Sequence, residues 1–345
     1  MIASSSFAQS EARLKELILG EGIQTLEAEA FANSALTKVN LPDSLKTLDK
    51  DTFKREGTEK VILYTNVENS FPASEYHQVK LNLGDWNDKD FTYDETGKVV
   101  TGFTEVGKKK AEDNHNLVIP DKSTNGEWIT EIGDAATTDT DGLFGGGGVY
   151  FETVVLPAKL EAIGIGAFRG QGIQKVTFPN TLTSIGNLAF QTNELREIIL
   201  PDSVTSLGTA AFATNTHIEK LVLSKNLTKI PRTAFGNTDN GVAPYNELVI
   251  PEGVTKIESG AFVGNSLSKI EIPKSVTEIG SKAFMNTSEH RTLREVILHE
   301  GLEKIGSNAF GYSQIRSVDL PTTVKERKSL DAKAFSNASY GNPVV

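Results

Sequence analysis

The feature that most constrains the fold of this chain is a short motif that recurs along nearly all of it. In this motif an Ile or Leu is followed a few residues later by Phe, usually as Ala-Phe, and most copies lie 22 to 27 residues apart. A period in this range predicts one supersecondary unit stacked on copies of itself. The full copies end at Ala30-Phe31, Ala167-Phe168, Ala189-Phe190, Ala211-Phe212, Ala234-Phe235, Ala261-Phe262, Ala283-Phe284, Ala309-Phe310 and Ala334-Phe335.

One copy, Leu267 to Phe284, shows which structural role each position of a repeat is expected to have. Ile270 and Ile272 alternate with polar residues, which predicts a short strand with one buried face. Pro273 ends the strand because proline has no N–H to give to a ladder of hydrogen bonds. The following Val-x-x-Ile brings the chain back across the core, and Ala-Phe then fills the interior. A single repeat cannot bury this apolar surface alone, so each repeat depends on its neighbours.

The pattern Leu-x-x-Ile-x-Leu-Pro-x-x-Val-x-x-Ile-Gly-x-x-Ala-Phe resembles the BspA-like leucine-rich repeats of bacterial surface proteins, over nearly the whole chain. The resemblance implies a repeat solenoid that is mainly β. It would be a leucine-rich-repeat-type stack of parallel short strands, with short turns or helices on the convex side. It also implies an exported, cell-surface protein used in adhesion or in binding host molecules.

The repeats predict three regions along the chain. Residues 1–84 are expected to form the end of a first repeat array, since the pattern lapses after a strand at Val61 to Leu63. Residues 85–116 are expected to form a small α+β insert, with a hairpin and a short helix that Thr104 caps. Residues 117–345 are expected to form a second array, in which the copy at Ala135-Ala136 has lost its Phe.

Both ends of the chain read as cut repeats, so we expect a fragment of a larger protein. The signal and the anchor of an extracellular or cell-surface protein would then lie outside this fragment. Terminal repeats normally need polar caps, and the edges near Ile2 and Val345 lack them. We therefore expect weak end-to-end self-association.

Composition excludes several classes of function. The net charge of −10 argues against a nucleic-acid partner, and the run from Lys108 to Lys110 is expected to be a solvated helix face. Without cysteine there is no disulfide and no thiolate nucleophile or metal ligand. No apolar stretch is long enough for direct membrane insertion.

No catalytic or cofactor-binding motif stands out in the sequence. The five histidines are scattered, and neither a His-Glu-x-x-His motif nor a Gly-x-Ser-x-Gly elbow is present. Asp139 and Asp141 resemble the start of a calcium loop but lack its later ligands. We therefore expect no enzymatic activity and no cofactor.

Strand positions that point away from the core form two columns along the second array. The first column alternates in charge, which predicts a ladder of cross-strand pairs that stabilises the stack rather than a ligand site. Its members are Lys175, Glu197, Lys220, Glu247, Lys269 and Glu295.

The second column is mostly β-branched and apolar. Two interpretations stay open: such residues suit a pleated surface, or they form an apolar strip for a partner. Glu271 and Asp319 interrupt this column. Its candidate ligand-binding residues are Val155, Thr177, Ile199, Val222, Val249 and Ile297.

Two lengthened loops, at residues 236–244 and 286–292, are predicted to lie on one edge of the solenoid, two repeats apart. Insertions that project from a rigid scaffold often carry binding residues. The alternative is that these loops lengthened without acquiring a function, which would give the same sequence pattern. The candidate residues of this edge are Asn237, Asp239, Asn240, His290 and Arg291.

These observations predict a non-catalytic, adhesin-type region that binds a host or neighbouring-cell protein or glycan. The alternative is a structural spacer or stalk that presents another domain, possibly an enzyme, outside this fragment. Failure to retain any macromolecule at micromolar concentration would argue for the alternative.

Overall fold

The predicted mainly-β solenoid of stacked parallel strands is confirmed. The computed structural model describes residues 15–20, 22–42, 44–65, 71–81, 85–135, 142–145, 149–237, 241–327 and 330–336. The chain forms two compact units, Met1–Asp85 and Trp86–Val345. The two predicted edges at Ile2 and Val345, and the predictions for Asp139, Asp141, Asp239 and Asn240, lie outside the described residues.

The first unit contains two parallel sheets. The larger sheet has the order β1-β3-β5-β6, and β2 pairs with β4 in the smaller one. The sequence predicts that Val61 to Leu63 is the last strand of this array, but β6 continues the sheet by pairing in parallel with β5. The strands are β1 (Glu16–Ile18), β2 (Thr25–Leu26), β3 (Lys38–Asn40), β4 (Thr47–Leu48), β5 (Val61–Thr65) and β6 (His77–Leu81).

The second unit begins with a hairpin and a helix, as predicted. After a short 3-10 turn at Asp88–Asp90, β7 (Phe91–Tyr93) pairs in antiparallel fashion with β8 (Val99–Phe103). Helix α1 (Glu105–Ala111) follows, and the Thr104 hydroxyl caps it by accepting the Gly107 N–H at 3.2 Å. Strand β8 also pairs in parallel with the next strand of the array, so the hairpin extends the array's own sheet. The division into two arrays and an insert stays a prediction.

The remaining strands of the second unit occupy two positions in each repeat turn, which we call a rung. A three-residue strand forms one side of the rung and a two-residue strand the other. The three-residue strands are β9 (Asn116–Val118), β11 (Thr153–Val155), β13 (Lys175–Thr177), β15 (Glu197–Ile199), β17 (Lys220–Val222), β20 (Lys269–Glu271) and β22 (Glu295–Ile297). The two-residue strands are β10 (Glu131–Ile132), β12 (Ala162–Ile163), β14 (Ser184–Ile185), β16 (Ser206–Leu207), β18 (Lys229–Ile230), β19 (Lys256–Ile257), β21 (Glu278–Ile279) and β23 (Lys304–Ile305), and helix α2 spans Thr322–Arg327.

The core of the second unit is a continuous stack of phenylalanine rings, one from each rung. Neighbouring rings lie 5.1 to 5.6 Å apart between centroids, a separation at which aromatic pairs attract each other beyond the burial of their area. In the rung that has lost its Ala-Phe, Phe144 takes the vacant place and stacks on Phe168 at 5.3 Å. The stack is formed by Phe144, Phe168, Phe190, Phe212, Phe235, Phe262, Phe284, Phe310 and Phe335.

One proline explains a break in the sheet of two-residue strands. In the neighbouring rungs the residue after the strand donates its N–H to the previous rung, as Gly208 does to the Ile185 carbonyl at 2.8 Å and Glu258 to the Ile230 carbonyl at 2.9 Å. Pro231 occupies this position after β18 and has no N–H to donate. The sheet accordingly ends at β16 and restarts at β18.

The expectation that Lys108 to Lys110 form a solvated helix face is wrong for Lys110. Its side chain is only 2% exposed and its Nζ lies 2.5 Å from the Asp90 carboxylate, which is equally buried. The ammonium also lies 5.4 Å from the centre of the Trp86 ring. Charge and spacing within the helix could not reveal this, because Asp90 and Trp86 come from the segment before the hairpin.

Candidate functional site

The outward column of apolar residues on the three-residue strands is solvent-exposed. We call it the apolar column, and its members point away from buried neighbours such as Ile198 and Leu221. Strand pairing places Val155 beside Thr177, and Ile199 beside Val222. Its exposed members are Val118, Val155, Thr177, Ile199, Val222 and Val249, while Ile297 is half-buried and the charged Glu271 and Asp319 are exposed.

Exposed large apolar side chains are concentrated in this column. Among the described residues nine such side chains are exposed, and five of them belong to the column: Val118, Val155, Ile199, Val222 and Val249. Scattered exposed apolar residues are normal on a protein surface, whereas neighbouring ones are more typical of interaction surfaces. Covering these side chains would remove apolar surface from water, and that the column binds a partner stays a prediction.

The column is interrupted at Val249, which is 82% exposed. Residues 246–250 occupy the position of a three-residue strand, but their backbone makes no hydrogen bond to the backbone of any described residue. A cavity of about 400 Å³ lies between this segment and β17, and one of about 550 Å³ lies between it and β20. Nearby, Tyr245 is fully buried, and this burial raises the pKa of its phenol above the usual value.

The alternating charged column has the predicted exposure but forms few of the predicted pairs. Glu197 lies beside Lys220 in the strand register, and Lys269 lies beside Glu295. Within the described part of this column, only Lys269 and Glu295 come within ion-pair distance, at 2.7 Å. Exposed pairs of this kind stabilise a protein by about 0.2–1 kcal/mol.

The loop edge holds the second group of predicted residues. Asn237 is buried at the start of one lengthened loop, and Asn286 is buried at the start of the other. Both residues border one cavity of about 430 Å³. His290 is exposed outside this cavity, and the Arg291 guanidinium lies 5.4 Å from the centre of the Tyr312 ring.

A ladder of buried asparagines, which sequence reasoning missed, supports this edge. Each asparagine follows the core Phe of its rung by two or three residues. Four of the five bond to backbone groups of the turns, whereas the Asn286 amide bonds to the Thr292 hydroxyl. The Asn215 amide, for example, donates to the carbonyls of Phe190 and Phe212, both at 2.9 Å, and accepts from the Leu195 N–H at 3.2 Å. The sequence signal was the recurrence of Asn two or three residues after the core Phe. The buried asparagines are Asn193, Asn215, Asn237, Asn265 and Asn286.

Groups that could hold a metal were sought among His, Cys, Asp and Glu. In the ranges that the structure describes, no three of these side chains are grouped suitably for a metal ion. The helices of the same ranges include none with the length and apolar character required to cross a bilayer.

Comparison with known sequences finds one family. The family model described as BspA type Leucine rich repeat region matches six copies, within residues 1–82, 144–243 and 240–341. No curated protein matches the chain.

Comparison with solved structures finds bacterial repeat proteins of low sequence identity. The pneumococcal vaccine antigen PcpA is 22% identical, with a TM-score of 0.45 and 67% of each chain covered. A leucine-rich repeat protein of T. pallidum is 21% identical, with a TM-score of 0.39, over 66% of this chain and 89% of its own. A leucine-rich cell surface protein of Faecalibacterium prausnitzii is 18% identical, with a TM-score of 0.34, over 83% of this chain and 88% of its own.

Proposed function

Because the chain belongs to the BspA-type leucine-rich repeat family, we propose that it is a non-catalytic, adhesin-type binding region of an exported bacterial surface protein. Its partner is a protein or glycan of a host or of a neighbouring cell. The partner docks on the face formed by the three-residue strands. The chain itself carries out no reaction and uses no cofactor.

The observation that supports this function is the exposed apolar column on a rigid face. Ile199 and Val222 lie side by side in register, at 44% and 41% exposure. Covering such side chains releases about 25 cal/mol for each Å² of apolar surface removed from water. Because their backbone is already ordered by the strands, binding requires little further loss of conformational freedom.

The cavities beside Val249 give this face two recesses that a partner's side chains can fill. Each lies between strand positions and is bordered by both apolar and charged residues, including Lys220, Glu247 and Lys269. Side chains of a partner can enter these cavities while the surrounding charges fix their orientation. Anchors that fill pockets commonly dominate the energy of an interface.

A binding screen tests this function. The purified chain is passed over immobilised extracellular-matrix proteins, mucins and glycans at physiological salt, and each retained partner is retested at about 1 M salt, where the Debye length falls to roughly 3 Å. We expect a partner with a micromolar or tighter Kd whose binding survives high salt, because apolar contacts are not screened. A panel that retains nothing, or binding that disappears at high salt, contradicts the proposal.

A structural spacer is the second candidate, and a chain of ion pairs favours it. The Glu278 carboxylate lies 3.0 Å from the Lys256 ammonium and 3.1 Å from the Lys304 ammonium, so it links three successive rungs. Contacts of this kind stiffen the stack without offering anything to a ligand. A folded chain that binds no member of the panel would support the spacer.

A further inference from the structure

One of the two cavities on the strand face differs from the other in charge. This cavity lies between residues 246–250 and β20, and its volume of about 550 Å³ falls within the range of small-ligand sites. We call it the acidic recess. The bordering residues that decide its chemistry are Glu247, Leu248, Val249, Glu252, Lys269 and Glu271.

A missing backbone bond leaves this recess open. In regular rungs the residue before the proline donates its N–H to the next rung, as Leu200 does to the Val222 carbonyl at 3.0 Å and Ile272 to the Ile297 carbonyl at 2.9 Å. Ile250 occupies the same position before its proline but makes no such bond to any described residue. The acidic recess therefore lies where the sheet would otherwise close.

The acidic recess carries carboxylates that no cation neutralises. Glu247 and Glu252 are both exposed, and neither side chain forms an ion pair or a hydrogen bond with a described residue. Three glutamates and one lysine border the recess. That lysine, Lys269, is already paired with the Glu295 carboxylate at 2.7 Å. The recess therefore has an excess of negative charge within reach of solvent.

The cavity on the other side of residues 246–250 lacks this excess. Glu219, Lys220, Lys225 and Glu247 border it, so its formal charges are balanced. Two of these side chains also have partners outside the cavity, because Glu219 pairs with Arg196 at 3.3 Å and Lys225 pairs with Asp202 at 3.2 Å. Charge therefore favours a cation on the β20 side of the segment.

The arrangement suits an organic cation better than a metal ion. Within the described ranges the acidic side chains form no group of three that could hold a metal. A guanidinium instead presents five N–H donors around a plane, so it can meet carboxylates that lie apart. It is also more weakly hydrated than an ammonium, and its apolar stem can cover the exposed Val249 and the half-buried Leu248.

We propose that the acidic recess receives an arginine side chain of a protein partner. The guanidinium pairs with the carboxylates of Glu247 and Glu252, and its stem packs on Leu248 and Val249. This inference rests on the proposed function, because the partner is the macromolecule that docks on the strand face, and it specifies a basic protein rather than a glycan. The arginine supplies a salt-sensitive part of the affinity, whereas the apolar column supplies the part that survives high salt.

The test is an NMR titration of the full chain at low salt with a blocked peptide, Ala-Val-Arg-Val-Ala. We expect saturable binding with a Kd of about 1 mM, which is the scale of a single anchoring side chain. The same peptide with citrulline keeps the shape of arginine without its charge, and it should bind at least tenfold more weakly. The version with lysine should bind roughly threefold more weakly, because an ammonium is more strongly hydrated and has fewer donors.

Two matched double variants locate the contact. Glu247→Gln/Glu252→Gln removes both carboxylates at exposed positions, and should weaken binding of the arginine peptide at least tenfold. Glu127→Gln/Glu152→Gln removes two exposed carboxylates elsewhere in the second unit, and should leave the affinity unchanged. The two variants change the net charge equally, so a difference between them reports the recess and not the overall charge.

The inference and the proposed function can fail separately. A macromolecule that the binding screen retains, with the same Kd for wild type and for Glu247→Gln/Glu252→Gln, overturns the inference and leaves the function standing. A blank screen together with saturable, arginine-selective peptide binding contradicts the function and not the recess. The inference is also overturned by the absence of saturation at about 20 mM arginine peptide, far above the expected Kd. Equal affinity for the citrulline or lysine version, or equal effects of the two double variants, overturns it as well.

Discussion

The backbone N–H of Phe212 donates to the carbonyl oxygen of Ala234 in the next rung, at 2.8 Å. The same bond recurs between successive Ala-Phe pairs, as from Phe190 to Ala211 at 2.7 Å. The residue before Ala adopts a left-handed conformation, as Ala210 does at φ 54, which costs about 1–2 kcal/mol for a residue with a side chain. The strained turn is offset by two contacts. It places the Phe ring in the core, and it lets the Phe N–H donate to the Ala carbonyl of the next rung.

Removing one ring from the phenylalanine stack should destabilise the second unit strongly. Phe212 is fully buried, and its ring lies 5.3 Å from Phe190 and 5.6 Å from Phe235. We expect Phe212→Ala to lower the free energy of unfolding by about 3–5 kcal/mol. Val222→Ala, at an exposed site, should change it by less than about 0.5 kcal/mol. Urea unfolding measures both, and a similar effect of the two variants would contradict the role of the stack.

The asparagines of the ladder should contribute unequally to the free energy of unfolding. Asn215→Ala leaves the carbonyls of Phe190 and Phe212 without the amide donor, and should cost about 1–3 kcal/mol or more. Asn237→Ala should cost less, because one of its polar atoms is already unpaired. Thermal unfolding of the two variants under identical conditions gives the comparison. A larger loss for Asn237→Ala would mean that its acceptor is satisfied in the folded protein.

The buried ion pair of Lys110 and Asp90 should show strong coupling. Lys110→Met leaves the Asp90 carboxylate buried without its cation, and should cost about 3–5 kcal/mol. Adding Asp90→Asn should recover part of this loss, because it removes the unpaired buried charge while the amide oxygen still accepts the Asn87 N–H. Lys108→Met, on the exposed side of the helix, is the matched control. A double-mutant cycle by urea unfolding checks this, and additive effects would exclude the coupling.

His77 should make the stability of the first unit sensitive to acid. Its ring is 1% exposed and bonds to the Ser74 hydroxyl and the Pro72 carbonyl, at 2.8 and 3.2 Å. Burial lowers the pKa of this imidazole below its ordinary value of 6.5. The unfolded chain therefore binds the proton first. The stability that the neutral ring provides is present above pH 6.5 and is lost as the pH falls through the lower pKa of the folded state.

The measurement for His77 is the urea midpoint at a series of pH values from neutral to mildly acidic. His77→Gln keeps a polar side chain but cannot titrate, so the variant should lose less stability on acidification than the wild type. Parallel curves for the two proteins would show that His77 does not control this dependence.

The repeat pattern was sufficient to predict the fold, because each rung repeats the same short sequence of apolar alternation, turn residues and Ala-Phe. The alternation of Ile270 and Ile272 with polar residues places them in the core, and the cap at Thr104 follows from its neighbours in sequence. The burial of Lys110 could not be predicted, since it depends on residues that fold over the helix from outside it. The use of Phe144 in the stack could not be predicted either, because no alanine precedes it.

The candidate surfaces were predictable to different degrees. Alternation along the strands predicts that Ile199 and Val222 point outward, and both are exposed. The interruption at residues 246–250 was not predictable, because Val249 has the same residue type as its counterparts in regular strands. The unpaired amide of Asn237 depends on how the lengthened loop leaves the core, which residue types alone do not specify.

The measurement that tests the central proposal most directly compares three proteins on the macromolecule that the binding screen retains. These are the wild type, the double variant Ile199→Glu/Val222→Glu, and Val106→Glu, which places one negative charge at an exposed apolar site on α1. We predict that the double variant raises the Kd at least tenfold, equivalent to about 1.4 kcal/mol, while Val106→Glu leaves it unchanged. Equal Kd values for all three proteins would show that the partner does not bind the apolar column.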